Sequence, residues 1–342
     1  MYKFVDLFAG IGGIRIAFQQ AGMECVDSCE NDKYARITYK ENFGEDPKGD
    51  IKPISSKDFK KHDILTAGFP CQPFSHAGRQ LGFDDTRGTL FFEIGKILAY
   101  HQPKGFLLEN VKRLKTLNNG DTLNTILKVL KDLNYWTDIK VLSASDFGLP
   151  QKRERIFIVG INNKYFQENY IRDSFTWPEP PKTKTKVKDV LDKLNEEEDR
   201  KYKISTKLWK SHQDRKERYK FRKVGFGFSK VYPDDPYTRT LTARYYKDGS
   251  EILIDRGKWK KSPRKLTPNE CRKLQGFPSG FILPYDRVSD SQLYKQFGNT
   301  VAIPVVREIA KAIRRSLEIL EEGKQVKKTE VTEDKDISQS QI

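Results

Sequence analysis

The chain has 342 residues, enough for a full α/β core with a second, smaller unit beside it. Its net charge of +16 and pI near 9.4 argue for a polyanionic partner, and nothing resembles an apolar span or a lipid anchor, so nucleic acid is favoured over membrane. Four cysteines, Cys25, Cys29, Cys71 and Cys271, are too few and scattered for a disulfide framework, and no histidine clusters with them, so no zinc site is legible; a reducing cytoplasm fits, and the strand-like start leaves no room for a signal peptide.

From residue 2 to residue 160 apolar runs alternate with helical stretches, the pattern of a doubly wound, mainly parallel α/β sheet. Strands are expected at 3–8, 24–29, 64–68, 105–109, 137–142 and 155–161, and helices at 13–21, 33–42, 90–100 and 122–133. The cluster Trp177-Pro178-Glu179-Pro180-Pro181 breaks both and marks a boundary. Beyond it the composition turns basic and aromatic: residues 182–223 hold 16 Lys and Arg against 8 Asp and Glu, half the excess charge of the whole chain. A smaller, β-rich module with irregular loops is expected there. Helical character returns at 267–274 and 301–322, the latter completing the first unit, and from Gly323 a charged tail without apolar periodicity is expected to be disordered.

Asp6-Leu7-Phe8 ends the first strand, and Gly10-Ile11-Gly12-Gly13 turns into a helix. Glycines there let the backbone approach a ligand, while the helix N-terminus favours an anionic group. Glu30 ends the second strand, where a carboxylate can accept bonds from both ribose hydroxyls. That spacing suits dinucleotides too, so a nicotinamide-dependent dehydrogenase stays open on these residues alone, although Arg15 occupies the third glycine position of a GxGxxG pattern.

A second constellation joins Cys71, in Gly68-Phe69-Pro70-Cys71-Gln72-Pro73-Phe74-Ser75, to Glu109, in Glu109-Asn110-Val111 at a strand's end. Taken singly, Cys71 is as well explained as a small apolar loop residue, and Glu109 as a helix cap. Together they match what methylation of cytosine at carbon 5 requires: a thiolate adding at carbon 6, and an acid protonating or hydrogen-bonding nitrogen 3. With these motifs, Gln151-Lys152-Arg153-Glu154-Arg155 and Gln296-Phe297-Gly298-Asn299, the chain resembles the bacterial cytosine-5 DNA methyltransferases, over about 4–160 and again over about 264–306.

The resemblance implies S-adenosylmethionine as cofactor, its methionine carboxylate at the 10–13 turn. Phe8 would pack on the adenine, Asp50 and Ile51 would read its edge, and Pro70, Leu90 and Asn299 would complete the pocket. Asn31 departs from the family, where the residue after the ribose-binding Glu is often aromatic, which leaves adenine stacked on one side only. The target cytosine must be turned out of the duplex, at a cost of roughly a few kcal/mol. Arg155 would contact its carbonyl oxygen, with Arg153 ordering the catalytic loop and its surroundings. Residues 75–89 would be a mobile loop over the DNA, with Ser75 in it and Arg87 as phosphate contact.

Sequence would be read in the second module, by Arg239, Thr240, Arg244 and Tyr245 in a strand-like stretch at 239–249 with two arginines suited to guanine. Thr240-Leu241 resembles the Thr-Leu pair of the family's recognition domains, and the run to Asp255 resembles members that methylate within CC…GG sites. The implied division is 1–178 with 296–322 as catalytic, cofactor-binding domain, 179–295 as target-recognition domain and 323–342 as tail. Double-stranded DNA is the implied partner and a restriction endonuclease the functional companion, with no metal and no membrane. A tRNA cytosine-5 methyltransferase of the same superfamily would share Cys71 and Glu109, but the large basic module argues for duplex DNA; a non-catalytic DNA-binding relative is disfavoured because every catalytic position is occupied.

Overall fold

Six of the apolar runs become the strands of one sheet: β1 (Lys3–Leu7), β2 (Glu24–Cys29), β3 (Ile64–Gly68), β4 (Gly105–Val111), β5 (Tyr135–Ser143) and β6 (Glu154–Asn162). In the computed structural model, which describes residues 1–70, 90–181, 183–222, 227–257 and 262–339, the side chains of 219–222 and 324–339 excepted, the strand order is β2-β1-β3-β4-β6-β5. The β2-β1-β3-β4 pairs are parallel, whereas β6 runs antiparallel to both β4 and β5.

Successive side chains of a strand point to opposite faces, and the core divides accordingly. Phe4, Ile64, Leu107 and Val159 face a cluster with α1 (Gly13–Gln20) and the long α10 (Ile303–Gln339). Val5, Leu65, Leu108 and Ile158 face the opposite cluster, closed by α3 (Leu90–His101) and α4 (Asp121–Asp132). The result is three layers, helix on sheet on helix. Between β2 and β3, α2 (Lys33–Phe43) is capped by Asp32, whose side chain accepts from the Tyr34 and Ala35 amides, and is ended by Gly44 at φ +70°.

The region after the Pro cluster differs from expectation. Among the described residues from 183 to 295 the strands are two residues each, β7 (Lys230–Val231) and β8 (Leu253–Ile254). They lie among helices α6 (Glu196–Tyr202), α7 (Thr206–Arg222), α8 (Pro268–Leu274) and the start of α9 (Asp290–Asn299). The stretch at 239–249 is not a strand: its amides close successive turns, Tyr245 to Thr242, Lys247 to Arg244 and Gly249 to Tyr245. Nor does the region keep a core to itself, since Val231, Leu241, Tyr245, Ile254 and Leu266 belong to the cluster on the α10 face. Helix α5 (Glu168–Ser174) lies where no element was expected, and α10 continues past Gly323, its described buried residues ending at Leu320. No helix among the described residues is long and apolar enough to cross a membrane.

Candidate active site

From β1 the chain goes to β2 on one side and returns to β3 on the other, which opens a crevice beyond the carboxyl ends of the strands. A cleft of about 450 Å³ lies there. Of the residues expected around a cofactor, Phe8, Gly10, Ile11, Gly13, Glu30, Asn31, Asp50, Ile51, Pro70, Leu90 and Asn299 line it, and Gly12 does not. Gly12 has φ +84° and sits so close to Phe43 that an added Cβ would lie 2.3 Å from the ring, so it serves the turn and its packing. Phe8 holds φ +57°, a left-handed conformation that costs a residue with a Cβ about 1–2 kcal/mol.

Glu30 braces this turn: Oε2 accepts from the Gly10 amide at 2.8 Å and Oε1 from the Asp32 amide at 2.7 Å. Burial pushes its carboxyl up, and the two amides oppose that. Each oxygen keeps a lone pair for a further donor. Beneath, fully buried Asp6 accepts from Thr66 Oγ1 at 2.8 Å, its other oxygen has no partner among the described residues, and burial pushes its carboxyl up to about 7.

Across the cleft α9 supplies Gln296, quoted above in the motif at 296–299 without a role, and Lys295, which the sequence reading did not single out. Lys295 pairs with Asp32 at 2.6 Å, and Gln296 Oε1 accepts from Thr38 Oγ1 at 3.0 Å. Gln296 Nε2 is buried in the cleft wall without a partner among the described residues. The Asp32–Lys295 pair spans 263 positions of sequence, so no local signal announces it.

The reversed direction of β6 brings its N-terminal residues to the same sheet edge as the C-terminal end of β4, Arg155 lying opposite Val111. Arg155 Nε forms an ion pair with Glu109 Oε1 at 3.1 Å. Burial pushes the Glu109 carboxyl up, with Arg155 and then Arg153 drawing it back; burial also lowers Arg155, which Glu109 opposes. Glu109 Oε2 is 3.5 Å from where a Cβ on Gly68 would sit, and Asn110 Nδ2 donates to the Phe69 carbonyl at 3.0 Å. The chain that leads toward Cys71 is thereby tied to the Glu109 strand. Cys71, Ser75, Arg87 and the loop expected at 75–89 lie outside the described residues.

Arg153, expected to order a loop that lies outside the described residues, is held by backbone carbonyls within them. It is 2 % exposed, and it donates to the carbonyls of Leu241 (2.8 Å), Gly298 (3.1 Å) and Thr300 (2.6 Å). Of the four residues of the second module expected on DNA, Arg239 and Arg244 are exposed, and Thr240 donates its hydroxyl to the Lys152 carbonyl at 2.7 Å. Tyr245 is a correction. It is fully buried against Tyr294, its hydroxyl donating to the Ile252 carbonyl and accepting from the Leu266 amide, both at 2.7 Å, so it supports this segment from beneath.

The family model described as C-5 cytosine-specific DNA methylase matches residues 2–315. The chain belongs to that family. This methylase is 50% identical over 329 residues to the Type II methyltransferase M.DsaV of Dactylococcopsis salina, covering 96% of this chain and 90% of the relative. It is 53% identical over 324 residues to M1.ScrFI of Lactococcus lactis subsp. cremoris, covering 94% and 80%, and 41% identical over 323 residues to M.HhaI of Haemophilus parahaemolyticus, covering 92% and 95%. Among solved structures, the S. pombe Dnmt2 methyltransferase superposes with a TM-score of 0.74 at 20% identity, over 93% of this chain and all of that one, a likeness of fold. Membership sets aside the dehydrogenase that the glycine turn and Glu30 left open.

Proposed function

We propose that this DNA cytosine-5 methyltransferase binds S-adenosylmethionine in the cleft between Glu30 and Asn299 and methylates a cytosine turned out of a specific duplex site, as the modification partner of a restriction endonuclease, in the cytoplasm. The observation that carries the proposal is the buried Glu109–Arg155 pair at the end of that cleft, beside the strand that leads to Cys71. Glu30, with its amide-braced oxygens, suits ribose hydroxyls, and the partnerless Gln296 Nε2 is a donor awaiting an acceptor in the same wall. When bound, S-adenosylmethionine supplies the methyl group.

The chain's own residues then divide the work. Cys71, as thiolate, adds to carbon 6 of the cytosine. Glu109, whose carboxyl burial pushes up against the pull of Arg155, gives its proton or a hydrogen bond to nitrogen 3, so carbon 5 becomes an enamine-like nucleophile. Arg155 holds Glu109 in place and has further donors for the cytosine's carbonyl oxygen. After methylation, loss of the hydrogen at carbon 5 as a proton lets the Cys71 sulfur leave. Residues 179–295 form the target-recognition unit, and Arg239 and Arg244 are its exposed cations beside the pocket strand. The name Type II methyltransferase, carried by relatives at 49–53% identity, supports the pairing with an endonuclease.

Duplex DNA carrying 5-fluorocytosine tests the nucleophile, because fluorine cannot be eliminated as a proton is. A denaturant-stable adduct through Cys71 is expected, absent in Cys71→Ser, whose hydroxyl is a far poorer nucleophile at neutral pH. No adduct, or an active Cys71→Ser, overturns the assignment.

A further inference from the structure

The segment that carries the exposed arginines is gripped by the chain leading into β6. The buried Leu241 donates its amide to Gln151 Oε1 at 2.8 Å and gives its carbonyl to Arg153 Nη1 at 2.8 Å. The Thr238 amide donates to the Pro150 carbonyl and the Lys152 amide to the Thr238 carbonyl, so residues 150–153 and 238–241 run zipped together. Gln151 is anchored in turn, Nε2 donating to the Leu274 carbonyl at 3.1 Å.

From the opposite side Gly298 presses on the same segment. A Cβ there would lie 2.2 Å from the Thr242 carbonyl carbon and 2.3 Å from the Ala243 nitrogen. Its φ is not positive, so close backbone approach, not a turn, demands the glycine. The Gly298 and Thr300 carbonyls also accept from Arg153, which thereby clamps residues 241, 298 and 300 with one guanidinium. Burying a cation is costly unless its donors are taken up; the three carbonyls take up Nη1 and Nη2, while Nε has no partner among the described residues.

We infer that Arg153, Gln151 and Gly298 are a positioning set that fixes the register of residues 239–244 against the Glu109–Arg155 pocket. Discrimination between DNA sequences then depends on three buried groups that reach no base. The inference rests on the functional reading above. Arg153 lies two positions from Arg155, so a displacement of the reading segment relative to the pocket is resisted by β6 itself. Base readout by bidentate arginines tolerates little of such displacement, since productive contacts need placement to within roughly 0.5 Å.

The test compares wild type with Gly298→Ala, which drives a methyl group into the Thr242 backbone, and Arg153→Lys, which cannot span three carbonyls. kcat/KM is measured on a duplex with the enzyme's own site and on duplexes altered at one base pair. The ratio of cognate to altered is expected to fall about tenfold or more in both variants, about 1.4 kcal/mol. A uniform loss on every duplex with the ratio preserved overturns the inference. Amide hydrogen exchange of the wild type decides it even where a variant does not fold: the Leu241 amide should be protected like the amides of β6, and exchange as fast as that of exposed Tyr246 overturns it. A wild type that methylates no duplex fails the functional reading instead, and the exchange measurement still judges the positioning set.

Discussion

Glu109→Gln separates an acid from a structural carboxylate. Glutamine keeps an acceptor oxygen for Arg155 Nε, now 3.1 Å from Glu109 Oε1, but its amide is no acid and transfers no proton to nitrogen 3. Positioned acid catalysis contributes on the order of 10²–10⁴-fold, or about 3–5 kcal/mol of barrier. The structural cost is smaller. Arg155 retains its bond to the Glu154 carbonyl, 2.8 Å, and loses only the charge assistance of one contact, about 1–2 kcal/mol against a fold stability of roughly 5–15 kcal/mol. The variant should therefore fold, bind DNA and cofactor much as wild type does, and turn over about 10²–10⁴ times more slowly. Methyl transfer from labelled S-adenosylmethionine to duplex DNA measures this, with DNA affinity determined in parallel. The pH profile adds a sign. Because burial raises the Glu109 carboxyl, wild-type turnover should fall as pH rises through that raised value, and the variant should lack this limb. Turnover within about threefold of wild type, or the same limb in both proteins, would refute the acid role.

Glu30→Ala removes the brace on Gly10 and an acceptor for ribose, and should weaken binding of S-adenosylhomocysteine about 10- to 100-fold by calorimetry, from the ~1.5–3 kcal/mol of bonds to a charged group; unchanged affinity would place the ribose elsewhere. Asp6 binds a proton in the folded chain, with its carboxyl at about 7, that the unfolded chain has released above the ordinary value of 3.8, so stability falls as pH rises between these values. Asp6→Asn should flatten that decline, worth up to roughly 4 kcal/mol, and an equally steep dependence of thermal unfolding on pH would contradict it. Replacing Arg244 should cost ~1–3 kcal/mol and relax selection at one base pair if it meets guanine, whereas an equal loss at all sites with a shallower salt dependence would make it a phosphate contact.

The sheet was legible because its inner strands β1, β3, β4 and β6 are largely buried and read as mostly apolar runs between glycine- and polar-rich breaks. All six lie within two residues of their expected ends. The cleft wall was legible for a related reason: Gly10 and Glu30 follow the ends of β1 and β2, where an open parallel sheet gathers its ligands. What depends on tertiary approach was not. The reversal of β6, which brings Arg155 to Glu109, leaves no mark in an apolar run whose direction is unspecified. Tyr245 reads like an exposed aromatic among basic residues until Tyr294 and Leu266 cover it. Helices α6 and α7 are short of apolar periodicity because much of their surface faces solvent, and the aromatic, basic composition around them suggested strands instead. Gly298 carried no sign of its role, since the backbone it must admit lies more than fifty residues earlier in the chain.

The central claim is that this chain methylates cytosine at carbon 5 in duplex DNA at one defined sequence. Bisulfite sequencing of genomic DNA from a methylation-free host, expressing either the wild type or Cys71→Ser, tests it most directly. The account predicts protected cytosines at a single recurring sequence with the wild type and none with the variant. Unprotected genomic DNA alongside 5-methylcytosine in the host's tRNA, or protection scattered without regard to sequence, would contradict it.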